Sequence, residues 1–182
     1  MRIIQVKINL YNRNLASEFG DEVVPLHEII RILKLGEDDV VLSIGDLNGY
    51  YSLVFRKYAK EVHVLLPEDI WFQYVKRLSA KFGAKNVIPN KGDACMDISV
   101  KGVNKFFIKT REISLECLSK ISNSLIKDES IKSGIALGVH SPPFLRPSDL
   151  PIEPVENAFK NSGFGSTLKI NFRYHYVLYV SK

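Results

Sequence analysis

From the first residues, apolar and polar side chains alternate. Ile4, Val6, Ile8 and Leu10 share one face of an extended segment, with Gln5, Lys7 and Asn9 on the other. That period predicts a half-buried strand, at a sheet edge or in a dimer contact. Residues 12–21 are polar and read as loop. Pro25 then opens a helix with Leu26, Ile29, Ile30 and Leu33 on one face, and Gly36 closes it where a left-handed residue is wanted. Val40 to Ile44 is a short apolar run of the kind buried on both faces of a parallel sheet. It breaks at a glycine-containing loop, Gly45 to Gly49, before Tyr51, Val54, Phe55 and Tyr58 repeat at helical spacing. A tight turn of this kind into a helix can present backbone N–H groups to a ligand.

The same alternation of run and helix continues. Val62 to Leu66 predicts a second strand, and Pro67-Glu68-Asp69 starts a helix striped by Trp71, Val75, Leu78 and Phe82 and ended by Gly83. Short strands follow at Asn86 to Ile88 and Lys105 to Ile108, then a helix marked by Leu115, Leu118, Ile121 and Leu125. A fifth strand, Gly134 to Val139, leads into a proline-rich loop from Ser141 to Pro154. A last helix with Val155, Ala158 and Phe159 stops at Ser162-Gly163. Thr167 to Val180 alternates almost throughout and reads as a hairpin turning near Arg173, since two short strands bury more than one protruding strand. Five strand–helix units and a hairpin predict a three-layer α/β/α sandwich with right-handed crossovers. Ligands of such sheets bind beyond the carboxyl ends of the strands at the switch point, which puts Gly45 to Gly49 at the mouth of the site.

Composition narrows the possibilities. With 182 residues, 46% hydrophobic and 25% charged, the chain is expected to form one core: an N-terminal extension over 1–22 and a single domain over 23–182. The net charge of +5 is spread along the chain without a nucleic-acid motif, so a solvated basic surface explains it. Cys95 and Cys117 lack metal-ligand spacing, so no metal site is expected and both read as ordinary thiols of a reduced protein. The first residues do not form a signal peptide and no apolar run is long enough to span a bilayer, so a cytoplasmic protein without membrane contact is expected. No Ser/His/Asp or Cys/His triad spacing and no Walker-type loop occurs.

The order and spacing of VVLSIGDLNGYYSL (40–53), EVHVLL (61–66), NVIPNKGDA (86–94) and SGFGSTLKINFRYHYVLYVSK (162–182) resemble the class I S-adenosylmethionine-dependent methyltransferases, over about Glu22 to Lys182. The resemblance implies a seven-stranded, mostly parallel Rossmann-like sheet with an antiparallel C-terminal hairpin. It also implies a methyl transfer from S-adenosylmethionine to an unidentified acceptor. Cofactor-side positions carried over from the family are Ser43, Gly45, Asp46, Leu47, Asn48 and Gly49 after the first strand, Leu66 and Glu68 after the second, and Asp93 and Ala94 after the third.

The motifs are degenerate. The family's loop reads acid-x-Gly-x-Gly-x-Gly, matched here by Ser43, Gly45, Leu47 and Gly49. A leucine held in a left-handed conformation at the middle position costs about 1–2 kcal/mol. Ser43 lacks the charge of the family's acid, which Asp46 could supply. Leu66 stands where the family has the ribose-binding acid; Glu68 or Asp69 could replace it, although both also suit the positive end of a helix. Asp93 matches the acid near the adenine amino group, or is a turn aspartate after Gly92.

Other candidates are Lys109 and Arg111, which could bind an anionic substrate or be solvated loop charges, and His140, a base or a backbone-satisfied histidine. Ser141-Pro142-Pro143-Phe144 resembles the loop of amino-group methyltransferases, but that loop follows a fourth strand and this one a fifth. A proline turn explains it. The altered Ser43, Leu47 and Leu66 also allow an alternative function: a methyltransferase-fold protein that has lost its cofactor and serves as a binding or scaffold module. A nucleotide-binding oxidoreductase is a third reading, short of the third fingerprint glycine. Substrate contacts are expected from residues 1–22 or from a second subunit of a homodimer.

Overall fold

A computed structural model describes residues 26–111, 113–139, 150–172 and 175–182. The expected N-terminal strand and its dimer contact, His140, the Ser141–Phe144 loop and the turn residue Arg173 lie outside these. The described elements run α1 (Leu26–Leu33), β1 (Val40–Ile44), α2 (Tyr50–Phe55), β2 (Glu61–Leu66), α3 (Asp69–Lys81), β3 (Val87–Lys91), β4 (Lys105–Lys109), α4 (Leu115–Lys127), β5 (Ser133–Val139), α5 (Ile152–Ser162), β6 (Ser166–Asn171) and β7 (His175–Ser181).

The seven described strands join one sheet in the order β3-β2-β1-β4-β5-β7-β6. β1 to β5 pair in parallel, and β7 is antiparallel to both β5 and β6, as the hairpin required. The chain leaves β1 toward β2 and β3, then returns to β1's other side as β4. The loops after β1 and β4 therefore diverge at the reversal point, where a cleft opens.

Strand alternation sends neighbouring side chains into two separate cores. Phe106 and Phe107 on β4 show this best. Phe107 packs with Tyr51 (4.7 Å between ring centroids) and Phe55 (5.1 Å) under α1, α2 and α3. Phe106 stacks on Phe159 and meets Phe164, both at 5.8 Å, under α4 and α5. Phe106 lies over Gly134 of β5: a Cβ there would come within 2.3 Å of the ring. At the amino-terminal edge of the sheet, Asp39 joins Lys105 (2.7 Å) and Asn104 (2.9 Å), and Asn104 accepts the Val40 N–H. Burial works against the Asp39 carboxylate, but bonds from Lys105, the Gly36 N–H and Asn104 hold its pKa below the usual value.

Local differences from the sequence expectation have physical causes. The left-handed residue after α1 is Lys34 (φ 49°), and Gly36 instead donates its N–H to Asp39 at 2.7 Å. The helix after Gly49 is only six residues, with Tyr58 beyond it 38% exposed. Leu115, at the first position of α4, is 42% exposed, and Cys117 joins Leu118, Ile121 and Leu125 in the buried stripe. Cys95 and Cys117 are not free thiols: they form a disulfide across 22 residues. Gly83 and Gly163 end α3 and α5 with positive φ, as read from the sequence.

Two predictions follow from this packing. Gly134→Ala should destabilise the fold by about 1–3 kcal/mol in chemical denaturation, the range for overpacking a core; an unchanged midpoint would mean Phe106 does not cover β5. The second concerns Glu156, which joins α5 to β6 by accepting from Lys160 (2.8 Å), Lys169 (2.9 Å) and Thr167 (2.8 Å). These bonds lower its pKa from 4.5 to about 2. A depressed acid stabilises the fold fully above its unfolded pKa, and that stability fades as pH falls from about 4.5 toward 2. Both lysines are partly exposed, so solvent screening keeps the effect modest. Glu156→Gln should flatten the acid limb of thermal stability, and equal slopes for both proteins would remove this role.

Candidate functional site

The loop after β1 is held by its own side chains. The Asp46 carboxylate is buried and accepts the Tyr51 N–H (3.3 Å), the Ser52 N–H (2.9 Å) and the Ser52 hydroxyl (2.6 Å). Asn48 Oδ1 accepts the Tyr50 N–H at 3.2 Å, and the Leu53 N–H bonds to the Gly49 carbonyl at 2.9 Å. The first-turn donors of α2 are thus spent inside the protein, contrary to the expectation that they face a ligand. Asp46 is thus engaged with the first turn of α2 and lines neither of the cavities described below. Burial raises the Asp46 pKa, opposed by its bonds from Ser52 and Tyr51 and by the Lys109 charge.

Both loop glycines have positive φ and close neighbours. Gly45 (φ 76°) lies against β4, where a Cβ would sit 2.4 Å from the Lys109 carbonyl oxygen. Gly49 (φ 68°) opens α2 against Val75, whose methyl would be 3.2 Å from an added Cβ. Leu47 is not left-handed: Lys34 is the only non-glycine of positive φ among the described residues. The expected strain at Leu47 is therefore absent.

Beside this loop, at the carboxyl edge of the sheet, a cavity of about 340 Å3 opens. Its floor and walls are largely apolar: Ile44 and Leu65 from the ends of β1 and β2, Pro67, Ala94, and Ile113, Cys117 and Ile121 from the approach to α4 and α4 itself. Polar residues sit among them: Glu68, Asp93, Ser114 and Arg111. Glu68 occupies the N-cap position of α3 yet its side chain makes no capping hydrogen bond. Asp93 Oδ1 accepts the Cys95 N–H at 2.9 Å, a turn aspartate whose residue also lines the cavity. The Cys95–Cys117 disulfide fastens this turn to α4 and forms part of the wall. Ser114 caps α4 by accepting the Cys117 N–H at 3.1 Å.

A smaller cavity of about 180 Å3 adjoins it, sharing Gly45, Leu47 and Arg111 and adding Asn48, Trp71 and Lys109. Of the family-derived positions, Gly45, Leu47, Asn48, Glu68, Asp93 and Ala94 are brought together around these two cavities, as are Lys109 and Arg111. Ser43, Asp46, Gly49 and Leu66 line neither. Leu66 is fully buried in the core beneath α3, and its side chain packs there and not on either cavity. Ser43 is also buried, with its hydroxyl unpartnered among the described residues.

Sequence reasoning missed Trp71, Ile113, Ser114 and both cysteines as lining residues. Only the Ser114 cap carried a local signal, a serine opening an apolar-periodic helix. The described residues include no cluster suited to a metal ion and no helix long and apolar enough to cross a membrane.

No known family profile matches the chain, and no curated protein matches it by sequence. Solved structures do match by fold. A dimethyladenosine transferase from Plasmodium falciparum aligns at 18% identity and TM-score 0.64, over 86% of this chain and 60% of that one. This chain therefore spans less than two thirds of that enzyme. A SAM-dependent methyltransferase from Aquifex aeolicus aligns at 18% identity and TM-score 0.64, over 98% of both chains. The [4+2]-cyclase SpnF reaches TM-score 0.70 at 10% identity, over 86% of this chain and 79% of that one. The strand order, the antiparallel terminal hairpin and these alignments give one result: the chain has the Rossmann-like fold of the class I S-adenosylmethionine-dependent methyltransferases.

Proposed function

We propose that the protein binds S-adenosylmethionine in the larger cavity and transfers its methyl group to an acceptor positioned at the smaller one. One observation carries this reading. Glu68 stands two residues past the end of β2, lines the cavity and is not engaged in capping α3. A carboxylate there can accept both ribose hydroxyls, the task that Leu66 cannot perform. The remaining surface fits an adenosyl group. Apolar walls from Leu65, Pro67, Ala94 and Ile113 suit the faces of a base, and Asp93 offers an acceptor for its amino group. Gly45 and Leu47, which line both cavities, lie where the methionine portion would reach.

When bound, S-adenosylmethionine supplies an electrophilic methyl: the acceptor's lone pair forms the new bond to carbon, and the C–S electron pair leaves with sulfur. The chain's own contribution is orientation and exclusion of water. Such alignment can lower the barrier substantially without a general base. Any proton on the acceptor passes to solvent. Leu47, which lines both cavities, would keep the acceptor's approach narrow.

A second reading has its own observation. The donors of α2 are consumed by Asp46 and Asn48, so a binding module without cofactor also agrees with this loop. Isothermal titration with S-adenosylmethionine and S-adenosylhomocysteine separates the two. Methyl transfer requires saturable heat, weakened about tenfold or more by Glu68→Gln, the loss expected for hydrogen bonds to a charged group. No heat at millimolar ligand would leave the scaffold reading. Leu47→Gly should change affinity little, because Leu47 is not strained, whereas a large gain would mark a lapsed site. Leu66→Asp is no test, since it would bury a charge in the core. Because the disulfide fastens the cavity wall, its reduction by a dithiol should weaken S-adenosylhomocysteine binding several-fold; unchanged affinity would make the bond irrelevant to the site.

A further inference from the structure

Positive charge that is thinly spread in the sequence is gathered by the fold at the amino-terminal edge of the sheet, opposite the cavities. Residues 70–90 contain four cations, Lys76, Arg77, Lys81 and Lys85, and no acid. Val75, Leu78 and Ser79 form the buried side of α3, so Lys76, Arg77 and Lys81 stand exposed on its outer side. The turn after α3 is stapled to the turn after α2. Asn86 Nδ2 donates to the carbonyls of Arg56 (2.9 Å), Ala59 (3.1 Å) and Lys60 (3.3 Å), and Arg56 Nη2 donates to the Phe82 carbonyl at 3.3 Å. This brings the exposed Lys60 to the same edge as the exposed Lys85.

None of these five cations forms an ion pair among the described residues. The Arg77 Nε donates to the Gln73 carbonyl at 3.3 Å, which leaves its terminal nitrogens for a ligand, and the Lys81 ammonium rests 5.7 Å from the centre of the Phe82 ring. Asp38 borders the patch, since the Asp39 carbonyl accepts the Lys60 N–H at 2.8 Å, yet Asp38 pairs with none of the five. The neighbouring Arg56 and Lys57 are engaged in contacts of their own. Dipole matching explains Lys81 in the last turn of α3, but not Lys76 and Arg77 before that turn, nor Lys60 outside any helix. A second observation singles out the same surface. Tyr58, in the stapled turn, is 38% exposed, and among the described residues no other tyrosine, phenylalanine or tryptophan is exposed. The exposed aliphatic side chains Ile70, Met96, Leu115 and Leu168 all belong to other segments.

We propose that this surface binds a single-stranded nucleic acid, with phosphates on the five cations and a base stacked on Tyr58. Cations set along a helix face and the adjoining turns match a string of phosphates better than one compact anion. An exposed ring beside them is a platform for a base of any sequence. An anionic bilayer matches less well, because the patch offers no exposed aliphatic side chain to enter the acyl region. The inference goes beyond the methyl-transfer reading and does not depend on it. α3 runs from Glu68 at the larger cavity to Lys81 at the patch, so the two surfaces lie at opposite ends of one helix.

Fluorescence anisotropy of a labelled oligouridylate of about 12 nucleotides, titrated with the full chain, tests this. Binding should saturate and should weaken about 100-fold between about 50 and 200 mM salt, the dependence expected for about five phosphate contacts on a single strand. The double variant Lys76→Gln/Arg77→Gln should bind about tenfold more weakly, with the salt slope lower by about 1.4. Lys101→Gln/Lys132→Gln removes two exposed cations from elsewhere, lowers the net charge equally and should change affinity less than about twofold. Tyr58→Ser should weaken binding about tenfold while Tyr58→Phe keeps it, since the ring and not the hydroxyl stacks. Absence of saturable binding overturns the proposal. Equal losses from the two double variants do so too, because net charge alone would then be acting. An unchanged affinity in Tyr58→Ser, or equal affinity for the duplex with oligoadenylate, overturns the single-strand assignment. Tighter binding to vesicles rich in phosphatidylserine than to the oligonucleotide, lost in Lys76→Gln/Arg77→Gln, overturns it in favour of a membrane surface.

Discussion

The site depends on one close approach: the backbone of Gly45 pressed against the carbonyl of Lys109. With 2.4 Å between a would-be Cβ and that oxygen, only glycine lets the turn after β1 close over the end of β4. The positive φ of Gly45 makes the same demand independently. This contact lies where the strand order reverses, so it determines how far apart the two loops stand and where the cleft can form. Asp46 then fixes the turn from inside by binding the start of α2, and Thr110 fixes the other side by bonding to β5. The two cavities are what remains between these fixed walls.

Much of the architecture is legible in the residues alone because strand burial leaves an unambiguous pattern. Short apolar runs separated by helical stripes lead to β1, β2, β4 and β5 without further information, and the alternation after Thr167 leads to the hairpin. The paired phenylalanines of β4 are a case in point: in a strand covered on both faces, neighbours can both be large because each enters a different core. Caps were harder to read. Gly36 looked like the left-handed residue after α1, yet Lys34 takes that conformation while Gly36 serves the Asp39 network. A glycine marks permissiveness, and tertiary hydrogen bonds decide where the chain uses it.

The cavities lie beside the loop that the sequence singles out, but their lining was only partly legible. Matching positions to a family motif picks out a loop that borders both cavities, yet Asp46 turns inward and Leu66 points into the core, because side-chain direction depends on register and not on motif spacing. Trp71 and the disulfide wall were invisible for a different reason. Their roles come from contacts between residues far apart in sequence, which no local period encodes. Glu68 shows the opposite case: a residue with an ordinary helical explanation whose side chain makes no capping bond and faces a cavity instead. A fold shared with both methyltransferases and a [4+2]-cyclase does not choose the chemistry; such side chains do.

The most direct measurement is a crystal structure of the full chain grown with S-adenosylhomocysteine. An adenosyl group is expected in the larger cavity, its ribose on Glu68, its base between Ala94 and Ile113, and its thioether facing the side of Leu47 that adjoins Trp71. Density for the nucleoside elsewhere, or the Leu47 side chain filling the hollow with no nucleoside present, would contradict it.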